Sequence, residues 1–339
     1  MDNIFDYTLQ ELSDEFEALG DKRYRGIQIF TWLYKKRVKT FKEMSDVSKK
    51  FIEILESRFV IEFPSISLQQ ISEDGTIKVL FSLKDNNKVE AVIMKYPHGN
   101  VLCISSQIGC NMGCSFCASG LLKKKRNLET NEMVSQILVL EETFNLKISN
   151  IVVMGTGEPF DNYQNVLNFV KIANEQKAFE IGARHITIST CGLVDKIKEF
   201  ADFDLQVNLA VSLHAPNDVL RNTLMPINKS YPLKDLMASL HYYQNRTQRR
   251  LTFEYIMLKD INDSLKEADE LIKLIKNTLS YVNLIPFNEV KELDYKRSKN
   301  ISNFAKRLAE AGINVTIRKE FGKDILAACG QLRAKEGLK

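Results

Sequence analysis

Three closely spaced cysteines are the residues whose types and spacing most directly predict chemistry. Cys110, Cys114 and Cys117 follow a C-x3-C-x2-C pattern, directly after a run that is predicted to form a β-strand. Thiolates at this spacing can hold a 4Fe-4S cluster, and because such a cluster ordinarily takes four cysteines, one iron would be left for another ligand. The alternatives are zinc with a distant fourth ligand, or free buried thiols, although zinc sites more often use C-x2-C pairs.

The composition indicates the size of the domain and the cellular compartment in which these cysteines act. The chain has 339 residues, 44% of them hydrophobic, which suits one large domain with a smaller appendage. We expect a cytoplasmic protein, because the first residues lack the pattern of a signal peptide and no window is apolar enough to span a membrane. Six cysteines in a reducing compartment favour metal binding or redox chemistry over structural disulfides.

A Gly-Thr-Gly-Glu turn is a second candidate ligand site. It contains Gly157 and Glu158 at the end of a predicted strand, where backbone amides can approach a ligand and Glu158 can accept hydrogen bonds from an ammonium group such as that of methionine. Taken alone, the turn is equally compatible with glycines that serve only packing. His214 lies at the end of another predicted strand. It is either a ligand contact or, as is more usual for a histidine on an apolar strand, a buried core residue.

The elements that must position these residues alternate beyond residue 100. Short β-branched runs predict strands near residues 101–107, 149–154, 184–190, 206–213, 250–258, 280–286 and 313–318. Amphipathic segments predict helices at residues 130–144, 163–176, 233–245, 265–277 and 300–311. Six or seven parallel strand–helix units predict an open or partial α/β barrel, whose ligands bind at the carboxyl ends of the strands.

Two smaller regions are predicted before the barrel. Residues 1–64 show helical spacing of apolar side chains and carry eight basic and no acidic residues between Lys22 and Lys42, which predicts a phosphate-facing surface although the net charge is only +4. Turn signals divide residues 65–100 into alternating runs, which predict an antiparallel β-meander that links two domains. The remaining residues, 101–339, are the predicted core domain.

The cysteine motif resembles that of the radical S-adenosylmethionine (SAM) superfamily. Further motifs resemble those of the adenine-C2 RNA methyltransferase family, in the same order and over nearly the whole chain, at residues 154–159, 184–190, 212–217, 224–228, 283–288 and 327–333. The resemblance implies a partial (β/α)6 radical SAM barrel, a helix-hairpin-helix-like accessory domain that binds RNA, and one [4Fe-4S] cluster on the three cysteines. The implied contacts to SAM are Gly157, Glu158, Ser189, Ser212, Leu213, His214 and Asn288.

The resemblance also implies that Cys103 and Cys329 form a methyl relay. A first SAM methylates Cys329, and a second SAM is cleaved to a 5′-deoxyadenosyl radical that takes a hydrogen atom from the S-methyl group, so that the resulting carbon radical adds to C2 of adenine. The Cys103 thiolate then attacks the sulfur of Cys329, which releases the methylated base and leaves a transient disulfide. Glu90 is the implied acceptor of the C2 proton, although on sequence alone it is an ordinary exposed strand carboxylate.

The implied partners are two RNAs and an electron donor. The family resemblance implies methylation of 23S rRNA at adenine 2503 and of tRNA at adenine 37, by a monomer supplied by a flavodoxin-like or other low-potential electron donor. Residues 123–126 are basic and are expected to pair RNA phosphates, with a solvated charge run as the alternative. The chain departs from the family at Leu326, which leaves open how the loop around Cys329 is anchored, and at Cys191, which is predicted to be a buried spare thiol.

Two other functions are compatible with parts of the sequence. A Cfr-type adenine-C8 methyltransferase, which gives antibiotic resistance, shares the cluster and both relay cysteines, but Glu158-Pro159 and residues 118–123 favour the C2 family. A non-catalytic RNA-binding protein with structural zinc would explain the cysteine triplet and the basic runs. It would leave Cys103, Cys329 and the SAM motifs without a role.

Overall fold

In the computed structural model, which describes residues 1–290, 292–327 and 330–332, the first 60 residues form three short helices. These are α1 (Leu9–Ala18), α2 (Tyr24–Thr31) and α3 (Lys49–Arg58), and they lie between two short parallel strands, β1 (Asp2–Asn3) and β2 (Phe59–Val60). Helix α1 begins at a capping box, in which the Thr8 hydroxyl accepts the Glu11 amide and the Glu11 carboxylate accepts the Thr8 amide. Aromatic rings fill the space between the helices, as where Phe16 and Phe51 meet edge to face.

The next four strands form an antiparallel meander. They are β3 (Ser65–Ile71), β4 (Ile77–Ser82), β5 (Lys88–Tyr96) and β6 (Gly99–Cys103). Tight turns connect the first three strands at Gly75 and Asn86, whose φ angles of +83° and +63° lie in the left-handed region that glycine and asparagine tolerate best. Both turns lie where the sequence predicts them.

Helices and strands alternate after β6, as predicted. In chain order they are β7 (Gln107–Ile108), β8 (Arg126–Asn127), α4 (Thr130–Phe144), β9 (Ile148–Val153), α5 (Tyr163–Asn174), β10 (Ile186–Thr190), α6 (Val194–Phe200), β11 (Asn208–Ser212), α7 (Asp218–Leu224), α8 (Leu233–Thr247), β12 (Leu251–Met257), α9 (Leu265–Ile275), β13 (Ser280–Pro286), α10 (Ile301–Glu310) and β14 (Asn314–Ile317). Strands β9 to β14 are parallel neighbours in sequence order, and β6 pairs in parallel with β9. With their helices they form the predicted partial (β/α)6 barrel.

Two features of this architecture differ from expectation. Helices α6 and α7 were not predicted, because each has seven residues and two turns are too few to show helical spacing clearly. The meander is also more than a link between domains. Because β6 pairs with β5 on one edge and with β9 on the other, ten strands form one sheet, in which the meander covers an edge that the barrel would otherwise expose.

The two faces of the barrel strands differ in polarity. The outer face joins one buried apolar cluster that runs from the N-terminal helices to the helices around the barrel, and Tyr34 meets Phe179 edge to face within it. On the inner face, β10 places Thr187 and Ser189, which are half-buried and alternate with buried apolar residues. The inner face therefore lines an interior cavity. None of the described helices is long and apolar enough to cross a membrane.

Candidate active site

The carboxyl ends of the barrel strands surround a pocket that gathers most of the predicted site residues. Strands β9, β10 and β11 end at this pocket, and the loop between β7 and β8 forms another wall. The predicted residues in its wall are Cys110, Cys114, Cys117, Gly157, Glu158, Ser189, Ser212 and His214. Leu213 is fully buried beside two of them, and Asn288 lines an adjoining cavity.

The loop that carries the three cysteines has a fixed backbone shape. It begins at Gly109, where φ is +73° and an added Cβ would lie 2.3 Å from the Lys123 carbonyl oxygen, so that only glycine fits. The Cys110 amide donates to the Leu122 carbonyl at 2.9 Å, and the Cys117 amide donates to the carbonyl of Cys114 at 3.2 Å. These bonds fold the loop back on itself and hold its thiols at the pocket.

The surroundings of two of the three thiols, Cys110 and Cys114, oppose their ionisation. Burial raises the pKa of Cys110 to about 11 and also raises the pKa of Cys114, and the charges of neighbouring thiolates add to both effects. In the described part of the chain, no group of three or more Cys, His, Asp or Glu is arranged to hold a single metal ion. Three thiols that face one pocket are one short of the four ligands that a 4Fe-4S cluster ordinarily takes, and the rest of the pocket can hold a further ligand.

Glu158 is buried and uses both carboxylate oxygens within the protein. Oε1 accepts the Phe160 amide at 3.0 Å, and Oε2 accepts the Cys191 amide at 2.8 Å. Burial raises the pKa of this carboxyl, and the amides partly offset that effect. An ionised carboxylate has further lone pairs for a ligand ammonium group. At Gly157, φ is +115° and a Cβ would lie 2.7 Å from that of Gln107, so packing by itself requires this glycine.

His214 combines a buried core position with access to the pocket. Its Nδ1 accepts the Ile256 amide at 3.1 Å, which places the proton of the neutral ring on Nε2. Burial, with a smaller effect from Arg221, lowers the pKa of His214 to about 3, so the ring is neutral at physiological pH. The ring meets Phe116 of the cysteine loop edge to face, with centres 4.8 Å apart.

A second cavity adjoins the pocket, shares part of its wall, and is lined by Cys103 and Asn288. Cys103, the last residue of β6, pairs with Val92 of β5. Glu90 lies two residues before Val92, so Glu90 and Cys103 point to the same face of the sheet. The sheet register thus brings the two predicted catalytic residues of this region to one side.

The surroundings of Glu90 correct the expectation of an exposed carboxylate. Glu90 is only 2% exposed, and its Oε1 lies 2.7 Å from the Nζ of Lys78. The same ammonium group donates to the Leu326 carbonyl at 3.2 Å. Lys78 therefore connects Glu90 to the C-terminal segment that leads to Cys329. The sequence alone does not single out Lys78, because its contact with Glu90 depends on the register between β4 and β5.

The C-terminal segment before Cys329 is anchored on the turn between β3 and β4. Cys329 itself lies outside the described residues. Asp74 accepts the Gly322 amide at 2.9 Å, and the Asp324 carboxylate accepts hydrogen bonds from the same turn. Asp74 and Asp324 therefore anchor the segment, which answers the question that Leu326 raised in the sequence.

Comparison with known proteins identifies the family. The family model described as "Radical SAM superfamily" matches residues 104–275, and the one described as "Ribosomal RNA large subunit methyltransferase N-terminal domain" matches residues 2–61. A curated relative from Spiroplasma citri, named "Probable dual-specificity RNA methyltransferase RlmN", is 52% identical over 99% of this chain and 98% of the relative. A relative of the same name from Oceanobacillus iheyensis is 50% identical over 98% of this chain and 97% of its own. The chain belongs to the RlmN family of radical SAM RNA methyltransferases.

A solved structure agrees with this assignment. The crystal structure of a radical SAM methyltransferase from Sphaerobacter thermophilus is 41% identical, with a TM-score of 0.92 over 99% of this chain and 100% of that chain. Membership in the RlmN family implies a [4Fe-4S] cluster and SAM, so the expectation of an enzyme is confirmed and the non-catalytic zinc protein is wrong. Which pocket residues contact SAM stays a prediction.

The basic runs of this RlmN-family chain are largely paired inside the protein. Among the N-terminal basic residues, Lys35 pairs with Glu180 at 2.9 Å, and Arg37 pairs with the buried Glu141. The run at residues 123–126 behaves similarly, since most of its cations contact acids or amides nearby. Lys36 is an exception, because it forms no ion pair with the described residues.

Arg221 supports the wall of the pocket in this RlmN-family chain, and it was not predicted from the sequence. It is fully buried, and its guanidinium donates to the carbonyls of Cys191 at 2.7 Å and Leu213 at 3.2 Å, and to the Asn228 amide oxygen at 2.8 Å. Its partners follow β10 and β11, so one side chain ties together two strand ends that form the pocket. The signal that could have revealed it was an arginine in the short helix α7, on the face that also buries Leu224.

Proposed function

We propose that this chain methylates C2 of adenine in two RNAs, 23S rRNA at adenine 2503 and tRNA at adenine 37. The description of the N-terminal domain supports the ribosomal substrate, and the words "dual-specificity" in the relatives' names support a second RNA. The residue pair Glu158-Pro159 in the pocket wall supports C2 over C8. The observation that carries the proposal is that Cys103 and Glu90 share one sheet face beside the three-cysteine pocket.

The pocket residues hold the cofactors in this proposal. When bound, one [4Fe-4S] cluster and two SAM molecules per turnover supply a methyl group and then a radical that abstracts hydrogen. Cys110, Cys114 and Cys117 would hold the cluster. Glu158 accepts hydrogen bonds from the ammonium group of SAM, and His214 offers its Nε2 proton, because Nδ1 is already occupied. The further SAM contacts are Gly157, Ser189, Ser212, Leu213 and Asn288.

The relay residues transfer the carbon atom. Cys329 accepts a methyl group on sulfur, and after one hydrogen atom is removed, the methyl carbon bonds to adenine C2. Glu90 takes the C2 proton, and the adduct radical gives up one electron, for which the oxidised cluster, when bound, would be the acceptor. The Cys103 thiolate then bonds to the Cys329 sulfur while the bond between that sulfur and the transferred carbon breaks, and the carbon takes up a proton to complete the product methyl group. The disulfide must be reduced before the next turnover, and a flavodoxin-like or other low-potential donor supplies electrons.

Lys78 supports the proton-transfer step by positioning. Its ammonium group contacts both the Glu90 carboxylate and the Leu326 carbonyl, so the proton acceptor and the segment leading to the methyl carrier are held by one side chain. A base must lie within hydrogen-bond reach of the proton it removes, and small displacements reduce rates strongly.

Nucleoside analysis tests the proposal. The chain is expressed in cells that lack endogenous adenine-C2 methylation, and nucleosides from 23S rRNA and tRNA are analysed separately by mass spectrometry. We expect 2-methyladenosine in both RNAs, and none in a matched Cys329→Ala culture. Accumulation of 8-methyladenosine would assign the Cfr-type activity instead, and absence of both products in an iron-loaded, soluble enzyme would refute the proposal.

A further inference from the structure

Three arginines around one cavity lack the carboxylate partner that nearly all other arginines have. In the described part of the chain, Arg184, Arg249 and Arg250 form no ion pair with an acid, whereas each other described arginine except the buried Arg221 does. Arg246, only three residues before Arg249, pairs with an aspartate at 2.8 Å. The missing partner is therefore a local property of this cavity.

These arginines line what we call the amino-end cavity, which lies at the amino ends of β10 and β12. Arg184 precedes β10, and Arg249 and Arg250 precede β12. Lys319 adds another cation, and among the described lining residues the one acid is Glu254. The cavity has a volume of about 720 Å³, within the size range of ligand sites. Its charge and size fit a phosphate-bearing ligand.

Neutral partners hold the arginine side chains in place. Arg184 donates to the Gln206 amide oxygen at 3.0 Å, and the Arg250 guanidinium lies over the Tyr281 ring, 4.9 Å from its centre. A guanidinium carries five N–H donors in a rigid fork that matches phosphate oxygens. One amide oxygen or one ring orients such a group without neutralising it, so its charge stays available to an anion.

The amino-end cavity adjoins the catalytic region. Met154 and Arg318 line this cavity, the three-cysteine pocket and the cavity of Cys103 alike. A base that undergoes chemistry must leave its stack and enter the enzyme, while its phosphates remain outside. A cavity that is rimmed with unpaired cations and separated from the cavity of Cys103 by the side chains of Met154 and Arg318 suits both requirements, because its cations can hold phosphates close to the catalytic region.

We propose that substrate RNA enters the barrel through the amino-end cavity, where Arg184, Arg249 and Arg250 bind phosphates beside the target nucleotide. The inference rests on the proposed function for its ligand and adds the surface on which the RNA is held. The internal pairing of the other basic runs supports it, because those cations are largely neutralised by neighbouring acids. Phosphate contacts of this kind position a nucleic acid without reading its sequence.

A matched pair of variants tests this proposal in the iron-loaded enzyme. Arg250→Gln removes an unpaired cation from the cavity, and Arg246→Gln removes a paired, exposed cation four residues earlier, with the same change in net charge. Affinity for an unmodified tRNA transcript is measured over a range of salt. We expect Arg250→Gln to weaken binding about tenfold and to lower the slope of log affinity against log salt by about 0.7 to 0.9, with little change for Arg246→Gln.

Further measurements keep the outcome decisive. Arg184→Gln is expected to act like Arg250→Gln, while SAM cleavage without RNA and the melting temperature stay at wild-type values in both. Equal effects of Arg250→Gln and Arg246→Gln, or no effect of either, would overturn the entrance. Binding of inorganic phosphate to the cavity with unchanged RNA affinity in the variants would assign a small phosphorylated ligand and also overturn it. Because wild-type methylation of the same RNA is measured in parallel, failure of the proposed function is seen separately.

Discussion

The two ends of the barrel differ in how they hold charge. At the carboxyl end, Glu158 and Arg221 are buried and hydrogen-bonded within the protein. At the amino end, Arg184 and Arg250 are exposed and have neutral partners. Buried hydrogen-bonded groups are costly to displace, so the groups at the carboxyl end hold the pocket residues in fixed positions. Accessible cations at the amino end instead attract anions, and salt screens this attraction. Substitutions at the two ends should therefore fail in different ways.

The largest effect is expected in the cysteine loop. Cys110→Ala, Cys114→Ala or Cys117→Ala should abolish cluster binding, because a cluster with three protein ligands cannot readily lose another. Iron and sulfide content after anaerobic purification measures this. Cys191→Ser is the matched control, since Cys191 lines the same pocket but lies outside the C-x3-C-x2-C motif. Full iron content in all three alanine variants would contradict the cluster assignment.

The relay cysteines should fail in different ways. Cys329→Ala has no sulfur to methylate, so neither methylated protein nor an RNA adduct is expected. Cys103→Ala keeps the methyl carrier but lacks the thiolate that releases the product, so RNA should remain attached to Cys329 through a methylene bridge. The adduct would appear as a shifted band on a denaturing gel that survives reductant. Normal turnover by Cys103→Ala would show that Cys103 is only a strand residue.

Substitution of Arg221 should show how much the stability of the carboxyl end depends on this buried guanidinium. Arg221→Met leaves the carbonyls of Cys191 and Leu213 without their buried donor, which should cost about 3 kcal/mol of unfolding free energy. Arg246→Gln removes an exposed ion pair that solvent screens, so it should leave the free energy of unfolding nearly unchanged. Urea unfolding of the two variants measures the difference. Equal costs would show that Arg221 does not organise the strand ends.

Lys78 should affect turnover more than binding. Lys78→Met removes the contact that holds Glu90, so kcat for RNA methylation should fall by about tenfold to a hundredfold while KM for RNA changes little. Lys78→Arg keeps a cation and should recover much of the rate. SAM cleavage without RNA and iron content serve as controls, because neither depends on proton removal from adenine. A change confined to KM would refute a positioning role.

The sequence predicted those parts of the site that lie in contiguous motifs. The cysteine loop and the Gly157-Glu158 turn carry their own spacing, and strand ends of a parallel barrel meet at one edge. Contacts that depend on the register of the sheet, such as that between Lys78 and Glu90, could not be predicted from the sequence. The internal ion pairs of the basic N-terminal run could not be predicted for a related reason. Its acidic partners, such as Glu180, lie far away in sequence, so their neutralising effect appears only in the fold.

The smallest effect is expected at Lys36, which compares the N-terminal surface with the amino-end cavity. Lys36 forms no ion pair with the described residues, but its ammonium group lies over the Trp32 ring, 5.2 Å from the centre. Because its neighbours Lys35 and Arg37 are paired with acids, Lys36 is an isolated unpaired cation, so Lys36→Ala should weaken tRNA binding by only about twofold to threefold and should spare SAM cleavage. Salt-dependent binding of Lys36→Ala and Arg250→Gln, measured side by side, ranks the two surfaces. If Lys36→Ala had the larger effect, the accessory helices would be the main phosphate-binding surface, and the contrast between the two barrel ends would not explain how RNA is held.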